Sequence, residues 1–303
     1  MPKELYKPEE VAAFLKVSKF TVYELIKRGE LPASKVGRGL RITSADLRAY
    51  LQGSRSIHRE PLKLNAPDSH RLRFVTYVGS HDLSIEILRE HLEERNKVYL
   101  TPTFTGSLDA LFALYKGQTE IAGCHLLDDE TGEYNVPFVK KFLPSQEVTV
   151  IQFVHRWQGL MVAKGNPKQF RDWVDLANPD IRMVNRQKGS GTRILLDYHL
   201  KQLNVDPSTI DGYDRVELTH TAVAAQVAQG SADVGIGIES AAHLLDLEFI
   251  PLAKERYDFV IRTKDYEKFA PLWDVLSKPD FWRDIHKLKG YDTAHMGKII
   301  AQL

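Results

Sequence analysis

The segment Asn185-Arg186-Gln187-Lys188-Gly189-Ser190-Gly191-Thr192-Arg193 constrains this chain more than any other. It follows the β-rich run Ile181-Arg182-Met183-Val184 and precedes Ile194 to Leu200, which reads as a helix. A strand, a glycine-rich turn and a helix start in that order make an αβ connection able to seat an anion. The glycines admit close backbone approach, and the free amides of the first helical turn point at whatever lies there. Alone, the segment also fits an ordinary capped helix, so its weight depends on whether the design recurs.

Three other segments repeat it. The run Leu72 to Val78 breaks at Gly79-Ser80-His81-Asp82 into a predicted helix with Leu83, Ile87, Leu88 and His91 or Leu92 on one face. Val98 to Phe104 breaks at Thr105-Gly106-Ser107 into a second, with Leu108, Leu111, Phe112 and Tyr115 at helical spacing. Tyr213 to Thr219 leads into His220 to Gly230, for which Thr221 is the candidate N-cap, and Ala232 to Ile238 reads as a buried strand. Strands alternating with helices predict an α/β body with a parallel sheet and ligand chemistry at the carboxyl ends of its strands. Ser80, Ser107, Ser190 with Thr192, and Thr221 all fall at such ends, two junctions in each half. One such hydroxyl is a cap; four are the pattern of a cleft closing on an oxyanion. The long run Val148 to Ala163 carries the chain out of the first half, and Asn166 to Ala177 is expected to be helical.

Ahead of this body lies a stretch of different character. Residues 1–55 carry a net charge of +5 and the remainder −4, so only the head is suited to meet a polyanion. Lys7-Pro8-Glu9-Glu10 opens a helix with Val11, Phe14 and Leu15 on one face. Ser18 then caps a second helix that buries Val22, Leu25 and Ile26 and stops at Gly29. Leu31 to Ile42, with Gly37-Arg38-Gly39 at its turn, reads as two short strands forming a basic wing, and Thr43-Ser44-Ala45-Asp46-Leu47 caps a third helix. Gln52 to Arg71 is polar and aperiodic and reads as a linker.

Residues 5–52 resemble the excisionase/MerR-type winged helix-turn-helix family, through the Glu-Val-Ala-Ala-Phe-Leu helix, the Val-Ser-Lys-Phe-Thr-Val-Tyr-Glu-Leu-Ile helix and the Val-Gly-Arg-Gly-Leu-Arg-Ile-Thr wing. The resemblance implies that Ser18, Lys19, Thr21 and Tyr23 face the major groove of double-stranded DNA. It also implies that Arg38 and Arg41 reach phosphate or the adjacent minor groove. One such module binds weakly, so a homodimer is expected. The body, residues 71–303, resembles the type II periplasmic-binding-protein fold in the form found in molybdate- and tungstate-binding domains. The residues that carry this are Val-Gly-Ser-His-Asp, Thr-Gly-Ser-Leu-Asp-Ala-Leu, the Asn185–Arg193 segment, Gly-Ser-Ala-Asp-Val-Gly-Ile-Gly and the tail Gly290-Tyr291-Asp292-Thr293. It implies two lobes joined by crossing strands, with tail helices returning to the first lobe. The expected organisation is thus a head at 1–52, a linker at 53–70 and a two-lobed α/β sensor at 71–303.

The residues assigned to the ligand are Ser80, Ser107, Arg186, Ser190, Gly191, Thr192 and Thr221. Arg186 lies four residues before Ser190, as in phosphate-binding proteins, which this segment resembles. Those proteins usually place an acid two residues before the serine to accept the proton of monohydrogen phosphate; here Lys188 stands there. A donor-only site favours a fully deprotonated dianion such as molybdate, tungstate or sulfate. Asp82 or Glu239 remain as alternative acceptors, and the segment Ile238-Glu239-Ser240 lacks the tyrosine that periplasmic molybdate binders tend to place there.

Enzymatic chemistry is not expected. Gly-x-Ser-x-Gly, Walker, His-Glu-x-x-His and Cys-x-x-Cys motifs are absent, and Cys124, the single cysteine, reads as a small buried hydrophobe. No resident metal or cofactor is expected beyond the oxyanion. The first residues contain no apolar h-region and no run long enough to span a membrane, so a cytoplasmic location is expected. These readings converge on a one-component transcription regulator sensing molybdate or tungstate. The alternatives are a solute-binding component of an uptake system and a regulator sensing a small organic acid.

Overall fold

The computed structural model describes residues 73–303 throughout and, nearer the N-terminus, residues 5–15, 22, 26, 31–36, 39–44, 46 and 47. The chain divides into two compact units, Met1–Ser69 and His70–Leu303.

In the first unit, β1 (Leu5–Tyr6) is followed by α1 (Pro8–Leu15), β2 (Ser34–Val36) and β3 (Gly39–Thr43). β3 pairs antiparallel with both β1 and β2, so the wing is a small sheet. Val11, Ala12, Val22, Leu31, Ile42 and Leu47 form its core, with Ile26 packed on it, which places Val22 and Ile26 on the face their spacing predicts. Thr43 Oγ1 accepts from Asp46 N (3.0 Å) and donates to its carboxylate (2.6 Å), closing the predicted cap. Ser18, Lys19, Thr21, Tyr23 and Arg38 lie outside the described residues. Arg41 lies on β3 and donates to Leu40 O at 2.8 Å.

The second unit is a mixed α/β body on one continuous sheet. Its first lobe contains β4 (Arg73–Gly79), α2 (Leu83–Asn96), β5 (Val98–Phe104), α3 (Ser107–Tyr115), β6 (Ile121–Cys124) and α4 (Val136–Phe142). β4 lies parallel between β5 and β6. The chain then leaves along β7 (Val148–Val162) into the second lobe. That lobe holds β8 (Met183–Arg186), α5 (Gly191–Gln202), β9 (Val216–Glu217), α6 (His220–Ala228), β10 (Val234–Ile238) and α7 (Glu239–Leu244). It returns along β11 (Glu248–Arg262), antiparallel to β7 over nearly its whole length. α8 (Ala270–Leu276), α9 (Pro279–Ile285), β12 (Tyr291–Asp292) and β13 (Ile299–Gln302) complete the first lobe, the two last strands both pairing with β7. Phe269, Leu272, Phe281 and Ile285 pack with Ile85, Leu88 and Leu92 of α2, so the tail helices close the core that β4 opened.

Three local expectations are corrected. In α2 the fully buried face runs through Ser84, Ile85, Leu88 and Leu92, while Leu83 and Ile87 are half-buried, Ile87 against the same core. In α3 it runs through Ser107, Ala110, Leu111 and Leu114, leaving Phe112 and Tyr115 at 41% and 51% exposure. Ala110, Leu111 and Leu114 pack with Ala122 and Cys124 of β6. The predicted helix at 166–177 is reduced to a single 3-10 segment, Trp173–Ala177, behind an Asp172–Asp175 capping box. Pro167 lacks an amide donor, Asn166 and Gln169 have φ of 45° and 58°, and the Asn166 side chain brackets the Phe170 backbone with bonds of 2.8 and 2.9 Å.

The close meeting of β7 and β11 sets one strict requirement. Gly159 faces the Ile250 carbonyl, which an added Cβ would strike, just before the register shift between Pro251 and Ala253. Backbone cannot yield as a flexible side chain does, so Gly159→Ala is expected to destabilise the body by about 1–3 kcal/mol. Urea unfolding should show a lowered midpoint at unchanged slope.

Candidate ligand cleft

Each lobe sends its strand ends toward the same buried place. From the first lobe come Ser80, just after β4, Ser107, the first residue of α3, and His125, just after β6. The two hydroxyl oxygens are 3.3 Å apart, and the His125 amide donates to Ser107 Oγ at 3.2 Å. The His125 ring bridges Ser80 Oγ on one side and Glu255 on the other, both at 2.8 Å. Tyr257, whose hydroxyl donates to Ser80 O at 3.1 Å and shares a hydrogen bond with Tyr77, fixes the loop from below.

The crossing strands supply the charged centre. Arg156 on β7 is fully buried, bonded through Nε to Glu255 Oε1 on β11 at 2.5 Å and through Nη1 to Asp82. Asp82 also caps α2 by accepting from Ser84 N at 2.7 Å, and accepts from the Tyr291 hydroxyl at 2.8 Å. Burial pushes the Glu255 carboxyl up, but Arg156, His125 and Gln158 outweigh it and hold the group down at about 2. Asp258 shows the opposite balance: burial prevails over Arg256 and Asn135, and its pKa is pushed up to about 6.

The second lobe closes on this centre. Ser190 is the N-cap of α5, accepting from Arg193 N at 3.2 Å. Gly191 rests so close to His125 that any Cβ would collide with its carbonyl and ring, which explains the glycine. Thr192 Oγ1 accepts from Gln158 Nε2 at 2.8 Å, and the same amide lies 3.0 Å from both Glu255 oxygens. Leu108 N donates to Gly189 O at 3.3 Å, and Gln187 reaches Thr105 O at 3.4 Å, so the lobes are in contact. Arg186, the last residue of β8, is buried and donates to Leu218 O at 2.9 Å. Among the described residues its Nη1 has no partner. Burial, and then the Arg156 charge, bring its pKa down to about 10.

The structure thus brings Ser80, Ser107, Gly191, Thr192 and Arg186 into one neighbourhood, with Ser190 capping the helix that faces it. Ser80 and Ser107 are not caps, as that role falls to Asp82 for α2, while α3 starts after Gly106. Thr221 is corrected as a cap as well. Thr219 does this by accepting from Ala222 N at 3.0 Å, and Thr221 is half-buried in the first turn of α6. On α6, His220 is fully buried within reach of the Arg186 and Arg156 charges, and among the described residues neither of its ring nitrogens has a partner. Of the alternative acceptors, Asp82 is consumed by Arg156, Ser84 and Tyr291, and Glu239 packs against Gly290.

Arg156, Gln158, His125, His220 and Glu255 belong to none of the sequence motifs assigned to the ligand. Arg156, Gln158 and Glu255 lie on long strands that carry other polar residues too, Gln152 and His155 on β7 and Lys254, Arg256 and Asp258 on β11, so nothing local singles them out. Replacing one partner of a buried ion cluster leaves the other charge uncompensated, so Glu255→Gln is expected to cost about 3–5 kcal/mol. The sign with pH follows from the depressed carboxyl. The Glu255 contribution is complete above its ordinary value of 4.5 and is lost as pH falls toward about 2. Asp258 acts in reverse, favouring the fold as pH drops from about 6 toward 3.8. Denaturation of the Glu255→Gln variant across that range should show a shallower acid limb than the parent chain.

Comparison with known proteins agrees with the architecture. Residues 89–277 match the PBP superfamily domain and residues 5–55 a helix-turn-helix domain, neither of which is an enzyme family. The chain is 41% identical to the uncharacterized protein YvgK of Bacillus subtilis over 98% of both chains. Two solved structures share the fold at low identity. The sulfate-binding protein SubI of Mycobacterium tuberculosis has a TM-score of 0.53 at 14% identity, covering 72% of this chain and 86% of its own. A Clostridium perfringens substrate-binding protein with bound phosphate has a TM-score of 0.53 at 13% identity, covering 75% and 99%. A two-lobed body with a ligand cleft, preceded by a winged helix-turn-helix head, is therefore what this sequence encodes, and the chain belongs to the PBP superfamily.

Proposed function

We propose that this protein is a cytoplasmic one-component transcription regulator that binds double-stranded DNA as a homodimer and senses a tetrahedral oxyanion, molybdate or tungstate, in its cleft. The observation that carries the anion reading is the distribution of charge. The buried carboxylates of the body, Asp82, Glu255 and Asp258, are all paired, whereas Arg186 keeps an unpartnered Nη1 beside hydroxyls and the N-terminus of α5. The acids of this place are engaged and the acceptors left over are neutral, Gln158 Oε1 and one nitrogen of His220, which suits an anion carrying no proton. Neutral hydroxyls and backbone amides would orient the oxygens, and Arg186 would supply the charge. DNA affinity responds to the anion if open and closed lobes present the paired heads differently. The helix-turn-helix head disfavours the reading as an uptake component.

Calorimetric titration of the full chain with the sodium salts of molybdate, tungstate, sulfate and phosphate tests this. Molybdate and tungstate are expected to bind with Kd on the order of 1 μM or tighter. Ser107→Ala should weaken them by about tenfold, as loss of one buried hydrogen bond implies, while leaving binding to DNA selected from a random pool intact. Ser190→Ala combines that loss with removal of a helix cap, so its reduced affinity should come with about 1 kcal/mol of lost stability. No heat from any of the four salts, with heat from small carboxylic acids, would overturn the oxyanion reading in favour of an organic-acid sensor. On the DNA side, Arg41→Ala should lower affinity across sequences and reduce the salt slope by about one.

A further inference from the structure

His220 is the least explained polar group of the cleft. It opens α6, a nine-residue helix capped by Thr219, and its ring is buried completely. Among the described residues both ring nitrogens lack a partner, whereas His125, in the first lobe, uses both. Gly237 on β10 lets the ring lie close to the strand backbone: a Cβ there would strike Met161 and stand 3.2 Å from Nδ1. The charged and titratable groups that act on the imidazole are Arg186 at the end of β8, Arg156 on β7, His125 after β6 and His81 between β4 and α2. All are cations or potential cations. Burial first, and then Arg186 and the others, hold the ring well below its ordinary titration range. A neutral imidazole in that setting has one donor and one acceptor with nothing to meet either.

We infer that His220 is a direct ligand of the cleft anion and that it takes up a proton when the anion binds. This inference rests on the anion-binding reading given above. A dianion placed among Arg186, Ser80, Ser107 and the α5 amides removes the electrostatic reason for the ring to stay neutral. As imidazolium it donates from both nitrogens, with an anion oxygen receiving at least one of them. The proton comes from solvent and is released when the anion leaves, so the binding cycle balances. His220 thereby sharpens selection for anions that keep their full negative charge. Affinity rises as pH falls, for as long as the anion itself stays unprotonated.

The test is calorimetry of the full chain with molybdate and tungstate near neutral pH, in buffers of different ionisation enthalpy. The expected result is uptake of about one proton per anion, with uptake abolished and affinity lowered at least about tenfold in His220→Gln. Binding without proton uptake in the parent chain overturns the inference while leaving the anion reading intact. So does uptake that persists in His220→Gln, or uptake abolished by His125→Gln instead, which would put the proton on the His125–Glu255 pair. Absence of any heat in the parent chain is the failure of the anion reading itself. Ring ¹⁵N resonances of histidine-labelled protein need no variant. His220 should shift from a neutral to an imidazolium signature on adding tungstate, and an unchanged ring would overturn the proposal.

Discussion

The buried contact of Arg156 with Asp82 and Glu255 is the constraint on which the cleft depends. A guanidinium without water is tolerable only when its charge is met and its donors are mostly engaged. Here the partners come from separate parts of the chain, the loop before α2 and the long returning strand β11, while Tyr291 of the tail secures Asp82. The Tyr257 ring lies 4.6 Å beneath the guanidinium and adds a cation–π contact. One charge therefore holds together both crossing strands, the first helix of the body and the C-terminal return. Any displacement of these elements would leave an ion unpaired in a medium that penalises it.

That arrangement also sets the chemistry left over. Because Arg156 takes up Asp82 and Glu255, the acids of the centre are not free to receive a proton from a ligand. Glu255 in turn orients His125, which orients Ser80. Arg186 and His220 of the second lobe keep unpartnered nitrogens among the described residues, as does Nη2 of Arg156. The cleft is thus electrostatically divided. A neutralised cluster gives it rigidity, and under-satisfied donors give it a demand for negative charge.

How legible this was depends on the range of the interaction concerned. Alternation of β-rich and helical runs is local, and β4, β5, β6, β8 and β10 fall where their apolar residues predict. The Ser190 cap is equally local, since its partner lies three residues away. Faces of helices were less legible, because size and hydrophobicity mark Phe112 and Tyr115 while packing density selects Ala110 and Leu114. At Asn166 the side chain competes with the helix for the backbone, a contest that a hydrophobic period does not register. Thr219 and Thr221 are two positions apart, and only the conformation of the backbone decides which one caps.

The sequence by itself determined the class of the protein. Its periodicities specify an α/β body, its glycine-hydroxyl junctions mark the ends of strands, and its charge distribution separates a basic head from a mildly acidic sensor. These depend on neighbours within a few residues, where backbone geometry transmits composition directly into structure. The tertiary structure alone decided which polar groups meet. Asp82, His125, Arg156, His220 and Glu255 are scattered over the chain, and none carries a distinctive spacing. Their protonation, their pairing and the donors they leave free arise only when folding removes water from all of them in the same place.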